Sequence, residues 1–319
     1  MRKSIMLLGL LTLILIASGL FFMTFNANGN WDFVLPFRGK KLVLLLTIAY
    51  TIGVSTLLFQ TLTNNPILTP SILGFDSLYL LTQTLLIFIF GGIGFTQLDI
   101  ANKFAFESLL MLGGSLLLFN TLTKEHNDLT RMILVGVIFG VLFRSLNNLL
   151  QRMIDPEEFA VAQGSSFASF NSVNPTLLWI GASIAILSAI WIWRQQHKLD
   201  VLLLGRDRAI SLGINYPTFS RQLLICCALL VSVSTALVGP IIFLGLLVCA
   251  IVNALSPVIA HSVRLPMTFL ISAITLVLGQ AIFEQLLGMQ GVLSVVIEFF
   301  GGIVFIYLIL NRRNYDDRY

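Results

Sequence analysis

Few residues in this sequence are equipped for chemistry, and they are not grouped as catalysts are. Cys226, Cys227 and Cys249 lie inside apolar runs without C-x-x-C spacing, which makes them small buried side chains rather than redox or metal groups. The three histidines are scattered along the chain. There is no G-x-x-x-x-G-K phosphate loop, no H-E-x-x-H and no G-x-S-x-G, so neither nucleotide cradling nor hydrolysis is encoded, and no cofactor or metal is expected. What remains is polar side chains placed within apolar stretches. Arg144, Ser145, Asn147, Asn148 and Gln151 share one stretch, and Asp76, Glu107, Glu284 and Glu298 fall in or near others. In a bilayer such groups are costly, so they either face a solute path, pair internally to hold a bundle, or snorkel to the interface.

The elements that must position them are membrane helices. Of 319 residues 57% are hydrophobic and only 11% charged, against about a quarter charged in a soluble domain. At about 20 residues per span the chain has room for roughly ten helices and no separate soluble domain. Residues 1–319 therefore form a single all-α polytopic membrane domain. Apolar stretches recur near residues 4–25, 42–63, 71–95, 104–123, 132–151, 176–193, 218–238, 240–256, 266–287 and 292–310. Gly239-Pro240 splits a long charge-free segment into two spans with a tight reversal. Residues 155–175, rich in Ser, Asn and Gln, read as a loop with a short interfacial helix. The net charge of +4 comes from small basic groups between spans, which argues against nucleic acid as a partner and for a topology signal. Most Lys and Arg fall on one side when both termini are cytoplasmic, including Lys124, Lys198, Arg206, Arg208, Arg312, Arg313 and Arg318. The largest cytoplasmic connection is then residues 195–220.

Three segments carry a more specific signal. Gln60 to Gly74 reads Q-T-L-T-N-N-P-I-L-T-P-S-I-L-G, Leu204 to Ile214 reads L-G-R-D-R-A-I-S-L-G-I, and Gly239 to Leu246 reads G-P-I-I-F-L-G-L. In order and spacing these resemble the Q-x-x-x-x-N-P-L-x-x-P-x-x-L-G, L-G-x-x-x-A-x-x-L-G-[IV] and G-P-I-x-F-[VL]-G-L motifs of FecCD-type permeases. Those are the membrane subunits of ABC importers for iron-siderophores, haem and vitamin B12. The chain departs from the family where Cys249-Ala250 and Asn253 replace Pro-His and a later Arg, and where Arg38-Gly39-Lys40-Lys41 replaces R-x-P-R. Such drift is similar to the shorter of two different permeases, which implies a heterodimer with a second homologous permease.

Each segment also has a plain physical reading. Asn65-Pro66 and Pro70 end the second helix and start the third, which turn chemistry alone would also require. Around residues 202–214 apolar and charged side chains interleave in a short helix. The resemblance makes Leu204, Gly205, Arg206, Asp207, Arg208, Ala209, Leu212 and Gly213 the docking surface for a separate ATPase subunit. Gly136 and Gly140, as G-x-x-x-G, read as a packing face.

The resemblance places the fifth and tenth helices beside the central path, so Arg144, Asn147, Asn148 and Glu298 are the expected lining. Arg144 lies about 20 Å from the cytoplasmic helix end at 1.5 Å per residue, and Glu298 at similar depth, which suggests a pair between them. Arg38, Lys40 and Lys41 form an outer basic cluster against the topology trend. It docks an acidic substrate-binding protein, as the family implies, or anchors to lipid headgroups. The function implied is uptake of a ferric siderophore across the inner (plasma) membrane, by a subunit with no catalysis of its own. Vitamin B12 and haem import are the same-class alternatives. An ion-coupled secondary transporter is the alternative of another class, and would carry a polar cluster on a broken midplane helix.

Overall fold

The computed structural model describes residues 2–25, 29, 31–123, 129–171, 174–255, 260–285 and 293–310. Lys124, Arg312, Arg313 and Arg318 lie outside them. Among the described residues the fold is all helix: α1 (Arg2–Thr24), α2 (Trp31–Thr63), a 3-10 turn (Pro70–Leu73), α3 (Phe75–Gln97), α4 (Ile100–Thr123), α5 (Leu129–Gln151), α6 (Pro156–Ser165), α7 (Pro175–Arg194), α8 (Gln196–Leu202), α9 (Arg206–Ser211), α10 (Tyr216–Val238), α11 (Leu244–Leu255), α12 (His261–Gln285) and α13 (Leu293–Leu310). Each of the ten expected apolar stretches holds one helix. Seven helices among the described residues are long and apolar enough to cross a membrane.

α2 is the axis of the bundle. It packs against α12, α10, α11 and α7. Its buried hydroxyls are neutralised within the helix, since Thr47 Oγ1 donates to the Val43 carbonyl (2.8 Å), Ser55 Oγ to Ile52 (3.1 Å) and Thr61 Oγ1 to Leu57 (2.9 Å). Small side chains then let helices close up. A Cβ on Gly53 would sit 3.2 Å from Ser272 Cβ on α12, and one on Gly245 of α11 would collide with Thr56. Two apolar clusters share this axis: Leu44, Leu45 and Ile48 with Leu276 and Val277 toward one end, and Leu57, Leu58 and Phe59 with Leu199, Ala209 and Leu223 toward the other.

Two boundaries differ from the sequence reading, each for a physical reason, while the short helix expected within residues 155–175 is present. α2 starts at Trp31 rather than near residue 42, because Pro36 is tolerated in the early turns and the basic cluster that follows is helical. The 155–175 segment contains α6, with Pro156 at its first position and Glu157 and Glu158 in its first turn, both favourable at a helix start. The reversal at Gly239-Pro240 is not tight. Residues 239–243 are non-helical, leaving α11 only 12 residues, a rise of about 18 Å against a hydrocarbon core of about 30 Å. That irregular backbone survives because Gly239, Pro240 and Ile241 are buried in protein, and Ser169 N donates to the Val238 carbonyl at 2.7 Å.

Candidate functional site

The first motif is a folded clamp. Gln60 Nε2 donates to the Pro66 carbonyl (2.7 Å), and Asn65 Oδ1 accepts from the Ile67 amide (3.1 Å). The clamp turns the chain out of α2 into the 3-10 turn. Gly74 ends that turn at φ 87° with its amide bonded to the Ser71 carbonyl at 3.0 Å. A Cβ on Gly74 would stand 2.6 Å from Gly140 Cα, and one on Gly136 would stand 3.1 Å from Leu73 Cα. The G-x-x-x-G face of α5 is therefore filled by Leu73 and Gly74.

This close approach sets the polar side chains of α5. With 136 and 140 turned inward, Asn147 is buried while Arg144 and Asn148 face outward. Asp76, in the first turn of α3, is buried and interacts electrostatically with Arg144 and with Glu298 on α13. Arg144 and Glu298 form no ion pair among the described residues. A direct pair, expected in at least one conformation, is not formed in this one, where Asp76 interacts with both. Asp76 Oδ2 and Asn147 Oδ1 are buried without a hydrogen-bond partner.

At the opposite flank of α3, Glu107 accepts a hydrogen bond from Gln83 Nε2 (2.7 Å) and lies 3.9 Å from Lys103. Glu107 thus ties α4 to α3 instead of facing a path. α3 itself is broken at Gly91 (φ 72°, ψ 166°), and Glu158 Oε1 of α6 accepts from the Gly92 amide at 3.1 Å. A carboxylate there satisfies an amide that the break has freed.

The outer basic cluster divides by helical geometry. Lys41 is buried and pairs with Glu284 of α12, and its Nζ donates to Asn171 Oδ1 at 2.7 Å. Arg38, three residues earlier on the same face, donates from Nη1 to the carbonyls of Phe22 (3.0 Å) and Phe25 (2.7 Å) at the end of α1. Only Lys40 of the three is exposed. Of the three basic groups expected to act together at the outer face, Arg38 and Lys41 are thereby engaged within the chain.

The short helix read around residues 202–214 is α9, and α8 precedes it in the same connection. Ala209 is fully buried against α10 and the end of α2, whereas Leu204, Arg206, Asp207, Arg208 and Leu212 are exposed. Gly205 (φ 93°) and Gly213 (φ 86°) bracket α9 in the left-handed region and have open space around them. They shape the backbone, and the side chains between them form an exposed face of mixed apolar and charged character.

These motifs and this architecture match a known family, the FecCD transport family, across residues 5–311. The chain belongs to the FecCD transport family. It is 45% identical over 314 residues to the petrobactin import system permease protein YclO of Bacillus subtilis (strain 168), covering 98% of this chain and 99% of the relative. It is 34% identical to the petrobactin import system permease protein FatC of Bacillus anthracis, over 86% of this chain and 78% of the relative. The fold is shared with a solved metal-chelate type ABC transporter in an inward-facing conformation, at a TM-score of 0.84 and 22% identity, over 96% of this chain and 99% of that one. This FecCD chain is accordingly a multi-pass permease of the plasma membrane and not an enzyme.

Sequence reasoning missed one group. His261, the first residue of α12, is fully buried; its amide and Nδ1 each lie 2.7 Å from Asp200 Oδ1 on α8, and Nε2 lies 2.9 Å from Thr61 Oγ1 on α2. Nothing in their spacing, 61 and 200 residues apart, announces the contact. A second missed bond, from Arg264 Nη2 to Asn253 Oδ1, joins α12 to α11 where the family's motif departs.

Proposed function

We propose that this chain is one half of the membrane core of an ABC importer for a ferric siderophore of the petrobactin type, paired with a second, homologous permease. The observation that carries the reading is the 45% identity to a petrobactin permease over 98% of this chain and 99% of the relative. A substrate-binding protein delivers the chelate to the outer face. Separate ATP-binding subunits dock on the exposed face around α9, from Leu204 to Gly213, and drive the change of access. Arg144, Asn147, Asn148 and Glu298, with Asp76 added, line the path for an anionic chelate.

The test is uptake of radioiron-labelled petrobactin in cells whose only petrobactin permease of this type is this chain, expressed with its binding protein, ATPase and second permease. Uptake that requires this chain supports the reading. Uptake of haem or cobalamin in place of petrobactin would reassign the cargo, and uptake insensitive to loss of the ATPase would remove the importer mechanism. Docking is checked separately with Gly213→Trp, which puts a large side chain into a position where φ is 86° beside the exposed face. ATPase copurification should fall, since docked surfaces tolerate little added volume. Undiminished copurification and transport would take the segment out of the interface.

A further inference from the structure

The buried histidine at the start of α12 has no part in the chemistry or the path described above, yet it bonds the cytoplasmic segment to the bundle axis. Asp200 Oδ1 is an acceptor for two His261 donors, the backbone amide and Nδ1–H, at 2.7 Å each. A carboxylate in this position fixes the imidazole tautomer, leaving Nε2 as an acceptor. Thr61 Oγ1 lies 2.9 Å from Nε2 and also 2.9 Å from the Leu57 carbonyl of its own helix. The hydroxyl has one proton and two acceptors. While Asp200 holds Nδ1–H, the Thr61 proton can go to Nε2 and bond α2 to α12. When Asp200 withdraws, the tautomer is released, Nε2–H can donate to Thr61, and the hydroxyl turns back to Leu57. The hydroxyl therefore has two bonding states, and the position of α8 selects between them.

What lies on each side makes this arrangement consequential. Asp200 sits on α8, immediately before the exposed α9, and its side chain is 34% accessible. Thr61 follows Gln60, whose side chain clamps Pro66 and so holds the 3-10 turn, which ends with Gly74 against Gly140 of α5. From α8 to the helix bearing Arg144 there is a continuous series of bonded or touching groups. Resting on the reading that the exposed face around α9 carries the ATPase, we propose that Asp200, His261 and Thr61 are positioning residues that transmit the state of the docked ATPase, through α8, to the α2 end, the 3-10 turn and α5.

The experiment uses the assembled complex of both permeases, ATPase and binding protein in nanodiscs, with radioiron-labelled petrobactin as the probe. The wild-type complex must first show ATP hydrolysis stimulated by the loaded binding protein; without that stimulation the importer reading itself fails. Asp200→Ala, which removes the acceptor, Thr61→Val and the double variant are then compared, each with thermal unfolding and ATPase copurification measured. We expect copurification and basal hydrolysis at wild-type level, and stimulated hydrolysis and uptake reduced by roughly five- to twentyfold, the scale of a modest coupling between sites. The double variant should be no worse than the poorer single one, although Asp200 and Thr61 are not bonded to each other, because both act through His261. Thr61→Ser, which keeps the hydroxyl, should restore most of the stimulation. Additive losses, unaltered stimulation in the single variants, or loss of ATPase copurification in Asp200→Ala would each overturn the proposal, the last by placing Asp200 in the docking surface. A fall in unfolding temperature with stimulation preserved would also overturn it, as a purely structural role predicts.

Discussion

Replacing Gly74 with alanine tests the tightest feature of the fold. The substitution has two costs that can be separated. At φ 87° a side chain meets the left-handed penalty, about 1 to 2 kcal/mol for an L-residue. The new Cβ also stands 2.6 Å from Gly140 Cα and 2.9 Å from Gly140 N, which are backbone atoms of α5 and cannot swing aside. Overpacking of this kind costs about 1 to 3 kcal/mol. Gly74→Ala should thus lose about 2 to 5 kcal/mol when the two are summed. Gly140→Ala approaches the same contact from α5, at 3.1 Å from Gly74 Cα, in a helix where alanine is otherwise favoured. It should lose less, about 1 to 3 kcal/mol. The assay is unfolding of the purified permease in nanodiscs under denaturant, with radioiron-petrobactin uptake alongside. Equal losses at the two positions would refute the backbone part of the reasoning, and a loss under about 0.5 kcal/mol at both, the level of an ordinary surface change, would refute the close contact itself.

Lys41→Met should destabilise by about 3 to 5 kcal/mol because Glu284 is left buried without its partner, while the double Lys41→Met, Glu284→Met variant should recover most of that loss; both are read by the same unfolding assay. Glu158→Ala should cost about 0.5 to 2 kcal/mol, the value of a lost cap, by exposing the Gly92 amide at the break in α3, and accelerated amide exchange confined to the end of α3 would report it. Arg144→Leu should leave expression unchanged and slow uptake at least about tenfold, equivalent to about 1.4 kcal/mol; normal uptake would mark Arg144 as a packing or interface residue. Lys40→Glu should slow association of the loaded binding protein at low salt and matter less at about 0.15 M, where the Debye length is about 8 Å.

The fold class was legible because hydropathy acts over whole segments: every expected apolar stretch became a helix. Ends were less legible. α2 continues back to Trp31 because Arg38 and Lys41, which look like loop residues, find a helix end and a carboxylate to bond. The glycine motifs were legible as pattern, but their partners were not. Gly136 and Gly140 announce close approach, and only the structure shows that Leu73 and Gly74 are what approaches. The long-range polar pairs were illegible for a different reason. A hydrogen bond between His261 and Thr61, 200 positions apart, leaves no periodicity in the chain, because it depends on how three helices are set against one another.

This separates what the motifs do from what selects a solute. The signature residues are spent on backbone geometry: Gly74 and Gly239 adopt φ values of 87° and 101° beside other backbone, Gln60 clamps a turn, and Ala209 fills a core. None of them presents a free polar group to a path. They build the frame that importers of different cargo share, which explains why the family can be read from them and the chelate cannot. Discrimination must then reside in side chains that the frame positions but does not constrain. In the proposed path those are the outward-facing Arg144 and Asn148 on α5, with buried Asp76 beside them. A substitution that conserves charge while moving it, such as Arg144→Lys, should for that reason change preference among anionic chelates more than it changes stability, because a compact ammonium cannot reproduce the planar donor array of guanidinium. Competition between labelled petrobactin and other ferric chelates would show it, and an unaltered order of preference would place selection on the binding protein alone.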